Sequence, residues 1–186
     1  MKKTAAFILV VGTLGLLLPA GCTRMTPQEL KASIEITDIE TKWVSKLYQQ
    51  WPPRLIIVPQ LQFRVRNLGA TPMTYVNFNA VFNFKGERDN FGDCFFAAIR
   101  AKAVPPGEKS DPIAMKSNLG VDGKDLKTIQ TSPEWRQAEV RLFAQSRGTQ
   151  PILLGIYDVS RFIDFKEDTT VEPKKDEAKK QAGRGA

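Results

Sequence analysis

The feature that most constrains this chain is the stretch Leu61–Phe84, LQFRVRNLGATPMTYVNFNAVFNF. Leu61, Phe63 and Val65 alternate with Gln62, Arg64 and Arg66 before Asn67-Leu68-Gly69-Ala70-Thr71-Pro72 breaks the pattern. Val76, Phe78, Ala80, Phe82 and Phe84 then alternate with Asn77, Asn79, Val81 and Asn83. A period of two puts one set of side chains on a core face and the other toward solvent. The stretch predicts two β-strands joined by a short turn, a hairpin.

The same rule extends along the chain. Leu30–Ile36 alternates and reads as the first strand. Leu55–Val58 is short and apolar, and Pro59 behind it predicts a bulge or a strand that changes sheets, because proline has no N–H for a central ladder. Cys94–Val104 reads as a strand with Phe95, Ala97, Ile99 and Ala101 on one face, and Pro112–Met115 as a short edge strand. Ala138, Val140, Leu142 and Ala144 define another, opposed by Glu139, Arg141 and Phe143. Ile152–Phe165 supplies the last, interrupted near Asp158. One short helix is expected near Asp125–Thr131, capped by Asp122 with Pro133 just beyond. The segment 166–186 mixes both charges and has almost nothing to bury, the composition of a disordered tail. Short strands spaced by Gly/Pro turns predict an all-β fold over 30–165, an antiparallel β-sandwich of immunoglobulin-like or fibronectin-like topology.

Composition narrows the chemistry. The 186 residues contain no histidine, so Ser-His-Asp and Cys-His catalysis are excluded and a zinc site is not expected. The net charge of +7 comes from scattered Lys and Arg with no basic arm or recognition helix, so nucleic acid is not an expected partner. Lys85–Asp93 (KGERDNFGD) lacks EF-hand spacing, and Gly120–Lys124 places its glycines too close for a phosphate loop. No cofactor, metal or catalytic residue is expected, and the chain does not read as an enzyme.

The first residues read as an address. Met1-Lys2-Lys3 is a positive n-region and Ala5–Leu18 an apolar h-region, shorter than the roughly 20 residues that span a bilayer. Leu17-Leu18-Pro19-Ala20-Gly21-Cys22 resembles the bacterial lipobox, in Ala20, Gly21 and Cys22, although Pro19 stands where an aliphatic residue is usual. The resemblance implies a signal peptide over 1–21, a diacylglyceryl thioether (with palmitate-like chains) at Cys22, and a tether over 22–29. It implies residence in the cell envelope, and Thr23 rather than Asp after the cysteine favours an outer membrane, facing the periplasm, over the inner one. Cys94 is then unpaired and is expected to act as a small buried hydrophobe rather than a reactive thiol.

Ile39–Pro53 has two readings. Trp43, Leu47 and Trp51 fall at helical spacing, thickened by Val44 and Tyr48, yet a strand with a long loop fits equally. These aromatics either cover one end of the core or form an exposed contact patch near the membrane tether. Candidate binding residues are therefore Trp43, Tyr48 and Trp51, together with the uncharged outer face Tyr75, Asn77, Asn79, Val81 and Asn83.

Val65-Arg66-Asn67-Leu68-Gly69-Ala70-Thr71-Pro72-Met73, Val76-Asn77-Phe78 and Val104-Pro105-Pro106-Gly107-Glu108 are similar to motifs of FxLYD-type bacterial domains and of the water-stress domain of late-embryogenesis-abundant proteins. In those families a strand ends in Asn-x-Gly-x-x-Pro, the next runs Val-x-Phe, and a Pro-Gly-Glu turn closes the unit. The resemblance covers Leu61–Ile113 and implies an immunoglobulin-like sandwich with no catalytic residues. Two functions are expected from the whole chain. The first is a non-catalytic binding or assembly lipoprotein contacting another envelope protein. The second is a carrier or accessory part of lipid or small-molecule transport, with an apolar cavity of several hundred Å³ as its mark.

Overall fold

The long strand β2 (Arg54–Asn67) runs through Pro59 without a break. The computed structural model describes residues 25–167, so the signal peptide 1–21, Cys22 and all but the first two residues of the expected tail 166–186 lie outside the described residues. On one side β2 pairs antiparallel with β1 (Ile34–Gln49). On the other it meets β5 (Ile113–Lys116) at Gln60–Phe63 and β6 (Val121–Gly123) at Leu55–Ile57. Pro59 falls in the gap between those two partners. The Ser117 N–H donates to the Pro59 carbonyl at 3.0 Å, so the edge that lacks an N–H faces the crossing segment rather than a ladder. The expected bulge lies instead in β1, between Ser45 and Leu47, and β2 stays in one sheet. Segment 117–120 passes so close that a Cβ on Gly120 would sit 2.0 Å from the Ile57 carbonyl oxygen.

The second sheet contains β3 (Val76–Phe84), β4 (Asn90–Ile99), β7 (Ala138–Gln145) and β8 (Ile152–Asp158) in the order β4-β3-β7-β8. The first has the order β5-β2-β1-β9, where β9 (Ile163–Asp164) runs parallel to β1 and every other pairing is antiparallel. With β1, β2 and β5 as strands A, B and E, and β3, β4, β7 and β8 as C, C′, F and G, this is the immunoglobulin-like sandwich.

That topology corrects the reading of Leu61–Phe84 as a hairpin. Strands β2 and β3 belong to different sheets, and residues 68–75 cross between them. Asn67, buried at 1% exposure, organises the crossing. Its Nδ2 donates to the carbonyls of Thr71 (2.8 Å) and Val104 (2.9 Å), and its Oδ1 accepts from the Gly69 N–H (2.8 Å). Its own N–H donates to the Glu108 carbonyl, while the Gly107 N–H donates to its carbonyl at 2.7 Å. The Asn-x-Gly-x-x-Pro turn and the Pro-Gly-Glu turn are thereby tied to each other.

The alternation itself holds as far as Phe82; beyond the register shift there, Asn83 is buried and Phe84 half-buried. Leu61, Phe63 and Val65 from one sheet, and Val76, Phe78, Ala80 and Phe82 from the other, are fully buried in one core with Val140 and Leu142 of β7. In β4 the register shifts between the pairs Val76–Ile99 and Phe78–Phe96, so two residues oppose one. Ile99 therefore turns inward while Phe95 points out, and the expected common face of Phe95, Ala97, Ile99 and Ala101 is not kept.

The start of the domain also differs from expectation. Residues Pro27–Ser33 form helix α1, and β1 begins only at Ile34. Thr26 caps the helix: its Oγ1 accepts from the Glu29 N–H, and Glu29 Oε2 accepts from the Thr26 N–H at 2.7 Å. Leu30 on this helix is completely buried, and the first turn of the helix, from Pro27, falls within the 22–29 segment expected to be tether. The second helix, α2 (Leu126–Thr131), is capped by Asp125, whose Oδ1 accepts from the Thr128 N–H at 2.6 Å. Asp122, the expected cap, pairs with Arg54 at 2.7 Å.

Candidate binding surfaces

The aromatic segment does not form one patch. Trp43 is 1% exposed, with its ring 4.7 Å from that of Trp135 and stacked at 6.5 Å on Phe91. It belongs to the core. Tyr48 is half-buried and meets Phe165 edge-on at 5.1 Å. Trp51 is 85% exposed beyond the end of β1, in the turn to β2. Since β1 has 16 residues, its ends lie about 50 Å apart along the strand. Trp51 is thus at the pole remote from α1, which corrects the expectation of a patch beside the tether.

Tyr75 and Asn83 also leave the expected outer face. Tyr75 precedes β3 with φ +57, a left-handed backbone that costs a bulky residue about 1–3 kcal/mol. The Arg147 guanidinium lies 3.5 Å from its ring centroid. Asn83 is 1% exposed and donates to the Arg88 and Asp89 carbonyls, holding the turn between β3 and β4.

Asn77 and Asn79 do project from the outward face of the β4-β3-β7-β8 sheet. Register places Asn79 between Phe95 and Phe143, with Leu153 next in the row. The neighbouring row is Asp93, Val81, Arg141 and Ile156. Phe95 is 58% exposed and Ile156 53%, so the face is apolar around its asparagines. The Oδ1 atoms of Asn77 and Asn79 are shielded from solvent and have no hydrogen-bond partner. They border a pocket of about 50 Å³ rimmed by Phe95, Phe143 and Pro151. An unsatisfied buried acceptor costs about 1–3 kcal/mol, which an incoming N–H donor would recover. Phe143 was legible in sequence, as an aromatic opposed to the core residues of β7. Phe95 was not, because the irregularity in β4 has no sequence mark.

A second concavity lies at the α1 pole. It has a volume of about 330 Å³ and is bordered by Met25, Leu30, Met73, Tyr75, Val76 and Arg147 among others. Leu30, Met73 and Val76 give it an apolar floor. Ser33 and Asn67 also line it, but their polar groups are already engaged in backbone bonds.

Elsewhere the titratable groups do structural work. Burial raises the Cys94 thiol above its ordinary value, against a weaker opposing hydrogen bond from the Lys116 backbone, so it stays protonated at neutral pH. Lys42 bridges Asp164 (2.8 Å) and Glu40 (3.1 Å), linking β9 to β1, and hydrogen bonding to Asp164 first and Glu40 second raises its pKa. Among the described residues no group of three or more Cys, Asp or Glu side chains converges as a metal site would.

No family model matches the chain, the FxLYD-type and water-stress families included, and no curated protein matches it. Similar solved structures include the ApaA protein of Bordetella pertussis, 10% identical with a TM-score of 0.37, over 69% of this chain and 93% of that one. The structural-genomics target SoR45 is 9% identical with a TM-score of 0.42, over 77% and 99%. The ligand-binding region of serine-glutamate repeat protein A of Enterococcus faecium is 11% identical with a TM-score of 0.27, over 68% and 99%. At these scores none of them bears on what this chain does.

Proposed function

We propose that this β-sandwich is the non-catalytic binding domain of a lipoprotein, anchored through Cys22 in the bacterial cell envelope and facing the periplasm. Its contact surface is the outward face of the β4-β3-β7-β8 sheet. The observation that carries this is the pair of shielded, unpartnered oxygens of Asn77 and Asn79 beneath Phe95 and Phe143. Aromatic rims around bare acceptors suit a side chain that ends in N–H donors, from Asn, Gln, Lys or Arg of another envelope protein. The lipobox, the missing histidine and the turn motifs shared with FxLYD-type and water-stress domains support the same reading.

A photo-crosslinking residue placed at Phe95 or Ile156 in the anchored protein tests it. The expected result is one captured envelope protein, lost when Asn77 and Asn79 are both replaced by alanine and absent with the probe at Ile39, which is 43% exposed on β1 of the opposite sheet. Equal capture from Ile39, or capture indifferent to the double substitution, would overturn this surface. The carrier reading is favoured by one observation, the cleft of about 330 Å³ at the α1 pole.

A further inference from the structure

We infer that the cleft at the α1 pole holds the anionic headgroup of a membrane lipid. Arg147 stands over the Tyr75 ring at its rim, and among the described residues that guanidinium has no carboxylate partner. Below it the floor is apolar, with Leu30 fully buried and Val76 at 1% exposure. One unpaired cation above an apolar floor is complementary to an amphiphile that carries negative charge at its head. Tyr75 keeps an unfavourable backbone conformation at this rim and nowhere else contributes to the core, which is how binding sites hold strained residues. Beside the cleft Leu68, whose chain neighbours Asn67 and Gly69 line it, is 55% exposed, so an apolar side chain and the Arg147 guanidinium sit at one pole, as apolar and basic groups do at a lipid–water interface.

Chain geometry selects a lipid as the occupant. Met25 lines the cleft and is only three residues from Cys22, roughly 10 Å of extended chain. The inference therefore rests on the proposed lipid anchor: if Cys22 is acylated, the α1 end of the sandwich is held near the bilayer surface. Trp51, at the far end of β1, is turned away from it. An anionic surface attracts a nearby arginine with a free energy that corresponds to about a fivefold change in occupancy.

The test uses the full acylated protein, reconstituted into vesicles of phosphatidylcholine alone or of phosphatidylcholine with phosphatidylglycerol. Amide hydrogen exchange is read at 68–76 and 146–149. Exchange there is expected to slow by about fivefold in the phosphatidylglycerol vesicles only, and Arg147→Glu is expected to abolish the slowing. Lys124→Ala, at the remote pole, should leave it intact. The same slowing in phosphatidylcholine vesicles on adding inorganic phosphate would assign the cleft to a free anion and overturn the lipid. Attachment to both vesicles with equal exchange in these segments would overturn this inference alone. Attachment to neither would overturn the anchor as well, so the two failures are distinct.

Discussion

Phe63 of β2 and Phe78 of β3 meet edge-to-face across the two sheets, with ring centroids 5.2 Å apart and planes inclined at 75°. The contact joins the two halves of the stretch that organises the sequence. It also shows their relation: these strands face each other through the core instead of sharing a ladder.

Replacing either ring should therefore be costly. Phe78→Ala is expected to lose about 3–5 kcal/mol by denaturant unfolding, and Phe63→Ala a similar amount. In a double-mutant cycle the pair should couple by about 0.5–1.5 kcal/mol, the worth of an aromatic contact beyond its area. Asn79→Ala, one residue away on the outward face, should lose no more than about 0.5 kcal/mol, because it removes an acceptor that has no partner. A large loss at Asn79 would mean that the faces of β3 are exchanged.

The two tryptophans of β1 and its turn separate in the same assay. Trp43→Ala empties a site between Trp135 and Phe91 and is expected to cost about 3–5 kcal/mol. Trp51→Ala changes an exposed tip and should stay within about 0.5 kcal/mol. Comparable losses would show that Trp51 is covered.

Acid should weaken the helix starts. The Asp125 carboxyl is held below its usual range mainly by the hydrogen bond from the Thr128 backbone, and Glu29 by that from the Thr26 backbone. A depressed carboxylate stabilises the fold above its unfolded value, and that stabilisation is lost as pH falls through the lowered one. Thermal unfolding between pH 7 and about 3 should show this slope in the native chain and a shallower one in Asp125→Asn, which keeps the accepting oxygen but not the charge. An unchanged slope would mean that the cap does not titrate with folding.

Gly120→Ala tests the close crossing over β2. The added methyl meets the Ile57 carbonyl oxygen and the Val58 side chain, at 2.0 and 2.7 Å before relaxation. Segment 117–120 must shift, at an expected cost of about 1–3 kcal/mol in denaturant unfolding. Gly86→Ala, where nothing lies within 4 Å, provides the comparison for a glycine limited only by its backbone, at φ +86.

Periodicity along a strand is local, and so the sequence alone marked the inward apolar residues of β2, β3 and β7, though not the buried Gln60, Asn67 and Asn83 of the same strands. Phe63, Phe78 and Leu142 were legible as core for that reason. The cap of α1 was also written locally, in Thr26-Pro27-x-Glu29, although the alternation of Leu30–Ile36 competes with it. What the sequence could not determine is which strands pair, because an alternating segment, a turn and a second alternating segment serve a hairpin and a crossing equally well. Asn67 decides between them, through bonds to Val104 and Glu108 that lie about forty residues away and exist only once the chain has folded. The candidate surfaces are decided the same way. Asn79 is flanked by Phe95 and Phe143 because β4 and β7 both pair with β3, and Tyr75 meets Arg147 because two loops end at one pole. Such neighbours come from register and strand order, which depend on contacts between distant parts of the chain rather than on any short run of residues.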